Sequence, residues 1–291
     1  MSASPRVDAH QHFWRLSDRQ GQWPPAQLRA IHRDFLPHDL EPLRQHAGID
    51  GTVLVQSLPS EDDTRWMLSL ADAHPVVWGV VGWVDMKAAE APARIAALAA
   101  HPKLKGLRPM LQDLADDGWI AHAAVDGAAR AMVRHGLVFD ALVLSRHLGA
   151  LHRFAARHPD LRIVIDHGAK PPIATGELEP WRSGIAALAA LPNVACKVSG
   201  LLTEAGSRRS AEALRPYVQA LWDLFGPERL LWGSDWPVLR LAGDYQGWLE
   251  MSRALFDSID PALSDARRAD LFGGNAMRLY GLVPPQPVAP C

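Results

Sequence analysis

The sequence predicts a single-domain (β/α)8 barrel, with parallel strands and helices alternating along the 291 residues. Short apolar runs recur between longer stretches rich in Ala, Leu and Arg that follow a helical period, as parallel βαβ units do. About eight such runs can be counted, which is the number that closes a barrel. Barrels of this length are ordinary single domains, so the sequence needs no second one.

The predicted elements follow one another without an interdomain linker. The predicted strands are 7–10, 52–56, 76–84, 104–108, 137–141, 161–166, 194–199 and 230–235. The predicted helices are 40–47, 65–73, 91–100, 125–135, 146–157, 185–191, 211–225 and 248–256. Gly and Pro cluster at the joints, where turns are expected. The aromatic, Pro-containing segment 13–34 is predicted to be a lid, and residues from about 281 onward a C-terminal tail.

An open doubly wound sheet has the same βα rhythm. It usually carries a Gly-rich phosphate loop after its first strand, whereas here the first strand is followed by HQHFW. This difference favours the barrel.

The composition limits the classes of binding partner and the cellular compartment that are expected for this protein. The chain has 30 Lys and Arg and 32 Asp and Glu, so it has no net positive charge that would attract a nucleic acid. Two cysteines, Cys196 in an apolar run and Cys291 at the end, cannot form a disulfide framework and suit a reducing compartment. The first residues lack the pattern of a signal peptide, and the apolar run 76–84 is too short for a membrane span. A cytoplasmic protein without a nucleic-acid or membrane partner is expected.

His10 and His12 are two residues apart on the first strand, so their side chains leave the same face and can converge on one ligand or ion. The carboxyl ends of barrel strands are where active sites form. Two solvated loop histidines would give the same pattern, so the residues on the neighbouring strands are needed to choose between the two interpretations. The eighth strand ends in LLWGSDWP and carries Asp235 to the rim beside the first strand, although an Asp there could instead cap a helix.

The sixth strand, in RIVIDHGAKPP, carries Asp166 and His167 to its end. Alternation predicts that one faces inward and the other sideways. We expect His167 to face the site, with Asp166 supporting it or facing a helix.

Two cations complete the predicted site. Lys197 lies inside VACKVSG, where a buried lysine is costly unless it meets a partner or an anionic ligand. Arg108 shares a strand face with Gly106, which leaves room for a ligand, although a surface arginine at a strand end fits equally well. Lys170 closes the loop after the sixth strand. Tryptophans at or beyond strand ends could stack on sugar rings or belong to the core; they are Trp14, Trp23, Trp83 and Trp236.

With these positions marked, the chain resembles the amidohydrolase superfamily, in particular the amidohydrolase-2 branch that includes sugar lactonases and 2-pyrone-4,6-dicarboxylate lactonase. The matching stretches are VDAHQHFW, AGIDGTVLVQ, LKGLRP, IDHGAKPPI, VACKVSGL and FGPERLLWGSDWPV. The L-fuconolactone and L-rhamnonolactone hydrolases look most similar. The resemblance implies a catalytic set of His10, His12, His167 and Asp235. It also implies substrate contacts at Arg108 and Lys197. Further substrate contacts are expected at Trp14, Gln56, Trp236 and Lys170.

The resemblance departs at the metal site. Members with two metals carry a carboxylated Lys on strand four and a His on strand five, where this chain has Arg108 and Asp140. One divalent ion at most is therefore expected, bound by His10, His12 and Asp235 with help from His167, a set acceptable to zinc. Much of the activity is expected to persist without metal.

The predicted reaction is hydrolysis of a small sugar lactone. Asp235 would activate water, while the histidines, or an ion they hold, would polarise the carbonyl. One alternative is a metal-dependent decarboxylase acting on an acidic aromatic compound. Another is a barrel that binds a small ligand without catalysis. The sequence leaves open the oligomeric state, and whether Asp140, Asp166 and Lys170 reach the site.

Overall fold

Eight parallel strands form the barrel in a computed structural model that describes residues 4–285. The strands are β1 (Val7–Gln11), β2 (Gly51–Val55), β3 (Val77–Gly82), β4 (Leu104–Leu107), β5 (Val138–Ala141), β6 (Ile163–Ile165), β7 (Val194–Val198) and β8 (Leu230–Trp232). Their order in the sheet is their order in the chain. Beyond β8 the backbone N–H of Asp235 donates to the His10 carbonyl at 2.8 Å, and that of His12 donates to the Trp236 carbonyl at 2.7 Å. These bonds join the last strand to the first, so the predicted barrel is confirmed.

Helices cover the outside of the barrel. They are α1 (Pro37–Ala47), α2 (Glu61–Ala73), α3 (Ala91–Ala99), α4 (Asp126–Arg134), α5 (Leu148–Arg157), α6 (Trp181–Ala189), α7 (Ala211–Phe225), α8 (Tyr245–Ile259), α9 (Asp265–Ala269) and α10 (Asn275–Tyr280). Each predicted helix has a counterpart among α1–α8, whereas α9 and α10 were not predicted. Four helices, α1, α2, α6 and α8, begin before their predicted starts, and in α2 and α8 a capping residue precedes the apolar pattern. Ser60 accepts bonds from the first turn of α2, and Asp244 does so for α8.

Two apolar clusters fill the molecule. The larger one packs the helices against the strands. The smaller one joins strand side chains such as Val53, Val138 and Val164 to Tyr280 and Leu282 from the end of the chain. The last helix therefore packs onto the strands and contributes an aromatic side chain to this cluster.

Segment 13–34 is tied to the barrel by polar contacts. The Trp14 indole donates to the Arg33 carbonyl at 2.8 Å. The buried Arg19 guanidinium donates to the Trp23 carbonyl at 2.9 Å and to Ser57 Oγ at 2.9 Å. These bonds hold the segment in place, and Trp23 remains half-buried.

Gly281 follows the last helix, and residues 282–285 have no regular structure. The rest of the predicted tail, with Cys291, lies outside the described residues. Within residues 4–285, no helix is both long enough and apolar enough to cross a membrane.

Candidate active site

Four buried side chains meet at the carboxyl ends of β1, β6 and β8. The Nε2 atoms of His10 and His12 are 3.2 Å apart. Asp235 Oδ1 lies 3.2 Å from His12 Nε2, 3.6 Å from His10 Nε2 and 3.8 Å from His167 Nε2. One carboxylate oxygen is therefore the centre of a group assembled from three strands that are distant in sequence.

Two of these residues reach the centre through left-handed backbone. His167 has φ 54° and Asp235 has φ 57°, each just after its strand has ended. Non-glycine residues adopt this conformation at a cost, and such residues concentrate at functional sites. The turn at His167 also breaks strand alternation, so both Asp166 and His167 face the interior. Of the two roles expected for Asp166, the supporting one agrees with its contacts to His10, Arg108 and Lys197, whereas the helix-facing one does not.

Hydrogen bonds fix the orientation of the histidine rings. His12 Nδ1 donates to the Val55 carbonyl at 2.7 Å, which leaves its Nε2 with a free lone pair. His10 Nδ1 lies 3.3 Å from Asp166 Oδ1 and 3.2 Å from the Lys197 ammonium, which can only donate. His167 Nδ1 is 2.9 Å from Ser199 Oγ. Both His10 and His12 thus turn Nε2 toward Asp235.

Burial sets the protonation of the group. It lowers the pKa of His10 and of His12, and it lowers the pKa of His167 to about 4. Burial alone would raise the pKa of Asp235, but His167 and the close contact with His12 outweigh it, so this pKa is lowered. At neutral pH the site holds uncharged imidazoles around an ionised carboxylate.

The second oxygen of Asp235 is open. All three histidine contacts go to Oδ1, and within residues 4–285 no hydrogen bond or ion pair reaches Oδ2. Gly200, with φ 61°, borders this oxygen, since a Cβ there would lie 3.2 Å from Oδ2 and 2.5 Å from His167 Nδ1. Glycine at 200 therefore preserves the space beside Oδ2 and the position of the His167 ring.

A buried charge network lies against His10. Lys197 Nζ donates to Asp140 Oδ2 at 2.6 Å and lies 3.0 Å from Asp166 Oδ1. Arg108 Nη1 donates to Asp166 Oδ2 at 3.1 Å. Tyr280 Oη, at 2.8 Å from both Asp140 oxygens, donates to that carboxylate. Two cations and two carboxylates thus pair with one another in the interior.

The position of Lys197 differs from the predicted one, which was a contact with substrate. Its exposed fraction is 0%, and it does not line the cavity, so it cannot contact substrate directly in this structure. Burial acts to lower its pKa, but Asp140 and Asp166 outweigh burial and raise it. It is a permanently charged partner of two carboxylates rather than an isolated cation awaiting an anionic ligand.

A cavity of about 320 Å³ opens above the Asp235 centre. Its lining residues are His12, Trp23, Ser57, Arg108, Met110, Gln112, Asp113, Leu142, His167, Lys170, Thr203, Asp235 and Val238. Arg108, His167 and Lys170 are three of the predicted site residues that line this cavity. Ser57, Gln112 and Thr203 were not predicted, because irregular loops carry no periodic signal that marks one polar side chain among many.

Three predicted substrate contacts lie below the cavity. Trp14 and Trp236 are buried, and both rings pack edge-on against Phe35. Gln56 Nε2 donates to the Arg108 carbonyl at 2.6 Å, and Arg108 donates to the Gln56 carbonyl. None of these three lines the cavity; the tryptophans belong to the packing under the lid segment, and Gln56 positions Arg108.

The site fits one divalent metal ion. His10 and His12 nitrogens and an Asp235 oxygen lie within 4.8 Å of one another, and all three residues are buried. Two imidazole nitrogens and an ionised carboxylate form a donor set that zinc accepts. His10, Asp166 and His167 form an overlapping group, but Asp166 is already paired with Arg108 and Lys197.

The barrel and the His–His–Asp centre at its carboxyl end define an enzyme of the metal-capable barrel hydrolase class. The sequence profile of the amidohydrolase family Amidohydro_2 matches residues 7–282, and the chain belongs to this family.

Relatives and solved structures cover nearly the whole chain. An L-fucono-1,5-lactonase of Burkholderia ambifaria is 55% identical over 278 residues, covering 94% of this chain and 95% of its own. An L-fucono-1,5-lactonase of Burkholderia multivorans is 38% identical and covers 96% and 97%. The crystal structure of a Burkholderia multivorans amidohydrolase with bound zinc is 37% identical, covers 96% and 100%, and superposes with a TM-score of 0.89.

Proposed function

We propose that this protein is a lactonase that opens a six-carbon or deoxy-sugar lactone, of the L-fucono- or L-rhamnonolactone type, to the aldonic acid. The observation that carries the proposal is Asp235, an ionised carboxylate that lines a cavity of about 320 Å³ and whose Oδ1 contacts three histidines. The two relatives named L-fucono-1,5-lactonase support the substrate class.

Asp235 supplies the general base. Oδ2 takes a proton from a water molecule as the water oxygen bonds to the lactone carbonyl carbon. The carbonyl becomes a tetrahedral oxyanion, and its collapse breaks the bond to the ring oxygen. Asp235 then returns the proton to that oxygen, giving a hydroxyl and a free carboxylic acid that ionises. No covalent intermediate with the enzyme forms.

Arg108 supplies the positive charge. Its side chain lines the cavity, and its Nη1 lies 3.4 Å from His10 Nε2. A guanidinium held by Asp166 and the Gln56 carbonyl is fixed in advance, so it stabilises the oxyanion without reorganising. Lys170, at the rim and 3.4 Å from Glu204, meets the carboxylate of the product.

Zinc is the proposed ion, held by His10, His12 and Asp235. Its chemistry there would be that of a Lewis acid that polarises the carbonyl. Asp235 Oδ2 and Arg108 are supplied by the chain itself, and a lactone is an activated ester. We therefore propose that the ion assists hydrolysis without being indispensable.

Calorimetric titration of metal-free protein with Zn²⁺ should show one site per chain. The His12→Asn variant should bind zinc at least about tenfold more weakly, because one of three ligands is lost. Exhaustively chelated wild-type protein should retain a substantial part of its activity. Complete loss, restored by one equivalent of Zn²⁺, would contradict the assisting role and make the ion essential.

A pH-indicator assay over a panel of compounds tests the function. L-Fucono- and L-rhamnonolactones should be opened faster than aromatic esters, pyrone dicarboxylate lactones and dipeptides, after correction for spontaneous opening. Release of CO2 from an acidic aromatic compound, with no lactone opened, would favour the decarboxylase. Tight binding of lactones with no turnover would favour a barrel that only binds.

The lid and the compartment extend the proposal. Trp23 joins the cavity wall from segment 13–34, so this segment covers part of the bound lactone. Cys196 is a buried free thiol, which suits a reducing cytoplasm.

A further inference from the structure

A second, larger cavity adjoins the first. It measures about 540 Å³, and four residues, Trp23, Ser57, Met110 and Asp113, line both cavities. Its other lining residues come from the lid segment and from the loops that follow β2, β3 and β4. The two cavities therefore lie side by side at the carboxyl end of the barrel, and the proposed reaction uses only the first.

Three tryptophans from three separate segments line the second cavity. Trp23 comes from the lid segment, Trp83 follows β3 and Trp119 follows β4. All three are half-buried, so each keeps part of its indole accessible. Lys87 Nζ lies 4.8 Å from the centroid of the Trp119 ring, a cation–π contact that helps to fix this indole. Flat indole surfaces are suited to stacking against rings that carry both apolar and polar atoms.

The charges of the two cavities differ. Arg108 and Lys170 line the first, where a carboxylate forms in the proposed reaction. Within the described residues the second is lined by Asp85 and Asp113 and by no Lys, Arg or His. An acidic substituent would meet two carboxylates there without a countercharge. A neutral group with hydroxyls would donate hydrogen bonds to them.

We propose that the second cavity is a subsite for a neutral sugar ring joined by a glycosidic bond to the lactone. The inference rests on the proposed function, since the lactone ring must occupy the first cavity. A glycosylated aldonolactone would place its second ring among Trp23, Trp83 and Trp119, with its hydroxyls toward Asp85 and Asp113. The preferred substrate would then be a disaccharide lactone.

The test compares two matched lactones on the purified full-length protein. Glucono-1,5-lactone and cellobiono-1,5-lactone share the reacting ring and differ by one neutral pyranose. The KM of the disaccharide lactone should be lower by roughly three- to tenfold, the effect of one or two aromatic stacking contacts. Trp83→Ala and Trp119→Ala should each remove most of this gain and leave the KM of the monosaccharide lactone within about twofold.

Trp222→Ala is the matched control, because this half-buried indole lies on α7 and packs against Phe256, away from both cavities. Thermal unfolding by circular dichroism checks that each variant is folded, and Trp→Phe versions, which keep an aromatic face, should restore part of the gain. Equal KM values for the two lactones in the wild type, or a parallel loss for both in the variants, would overturn the subsite. An octyl ether of the monosaccharide lactone that outperforms the disaccharide would overturn it in favour of an apolar group.

Binding separates failure of the subsite from failure of the proposed function. If no lactone is opened, calorimetry with cellobionate and gluconate replaces kinetics. Tighter binding of cellobionate that depends on Trp83 and Trp119 would keep the sugar subsite and reject lactone hydrolysis. Equal binding would reject the subsite as well. Turnover of glucono-1,5-lactone without any benefit from the second ring would reject the subsite alone.

Discussion

Replacing Asp235 with Asn should lower kcat by about 10²- to 10⁴-fold while the protein stays folded. The amide matches the carboxylate in shape, but it cannot take a proton from water. Oδ2, the oxygen without a partner in the described chain, is the atom whose chemistry is lost. Steady-state kinetics with a sugar lactone, alongside a thermal unfolding curve, measures the effect.

Asp223→Asn serves as the control, because this exposed carboxylate lies on α7 and only contacts Gln219 of the same helix. It should leave kcat unchanged. A folded Asp235→Asn enzyme with near-normal turnover would remove Asp235 from the mechanism. A variant that loses zinc but keeps its rate would show that Asp235 is a ligand and not the base.

Lys197→Met should destabilise the protein by about 3–5 kcal/mol. Lys197 faces Asp140 at 2.6 Å and Asp166 at 3.0 Å, and all three are fully buried. Removal of the ammonium leaves two carboxylates together without it, and one of them must take up a proton or water must enter. Urea unfolding monitored by circular dichroism gives the free energy of unfolding for each variant.

The double variant Lys197→Met with Asp140→Asn is the informative companion. It removes one negative charge along with the positive one, so it should recover part of the lost stability. A folded Lys197→Met protein that is as stable as the wild type and has a raised KM would mean that the ion pairs contribute little and that Lys197 meets substrate after local movement.

The barrel was predictable because alternating strands and helices leave a repeated signal in sequence. His10, His12, His167 and Asp235 were predictable because the carboxyl end of a barrel strand is a known place for chemistry, and the family resemblance pointed to the same residues. Both inferences need only the order of short sequence patterns along the chain and the rule that strand eight of a barrel pairs with strand one.

Other parts of the site depend on contacts between residues that are distant in sequence, which no local sequence pattern predicts. Asp140, Asp166 and Lys197 come from or follow three different strands, and their pairing emerges only once the barrel closes. The inward position of Asp166 depends on the left-handed turn at His167. Trp14 and Trp236 were predicted to contact substrate because a tryptophan at a strand end can pack in a core or bind a ligand. Only the contacts of both rings with Phe35 show that they belong to the core.

The bond from Tyr280 to Asp140 has a consequence for biosynthesis. β1, which carries His10, leaves the ribosome well before Tyr280, which follows all eight strands in the chain. Asp140 gains its hydroxyl partner only when α10 has been made. A nascent chain that already holds all eight strands still lacks this contact, so the buried charge network is completed late in the synthesis of the barrel.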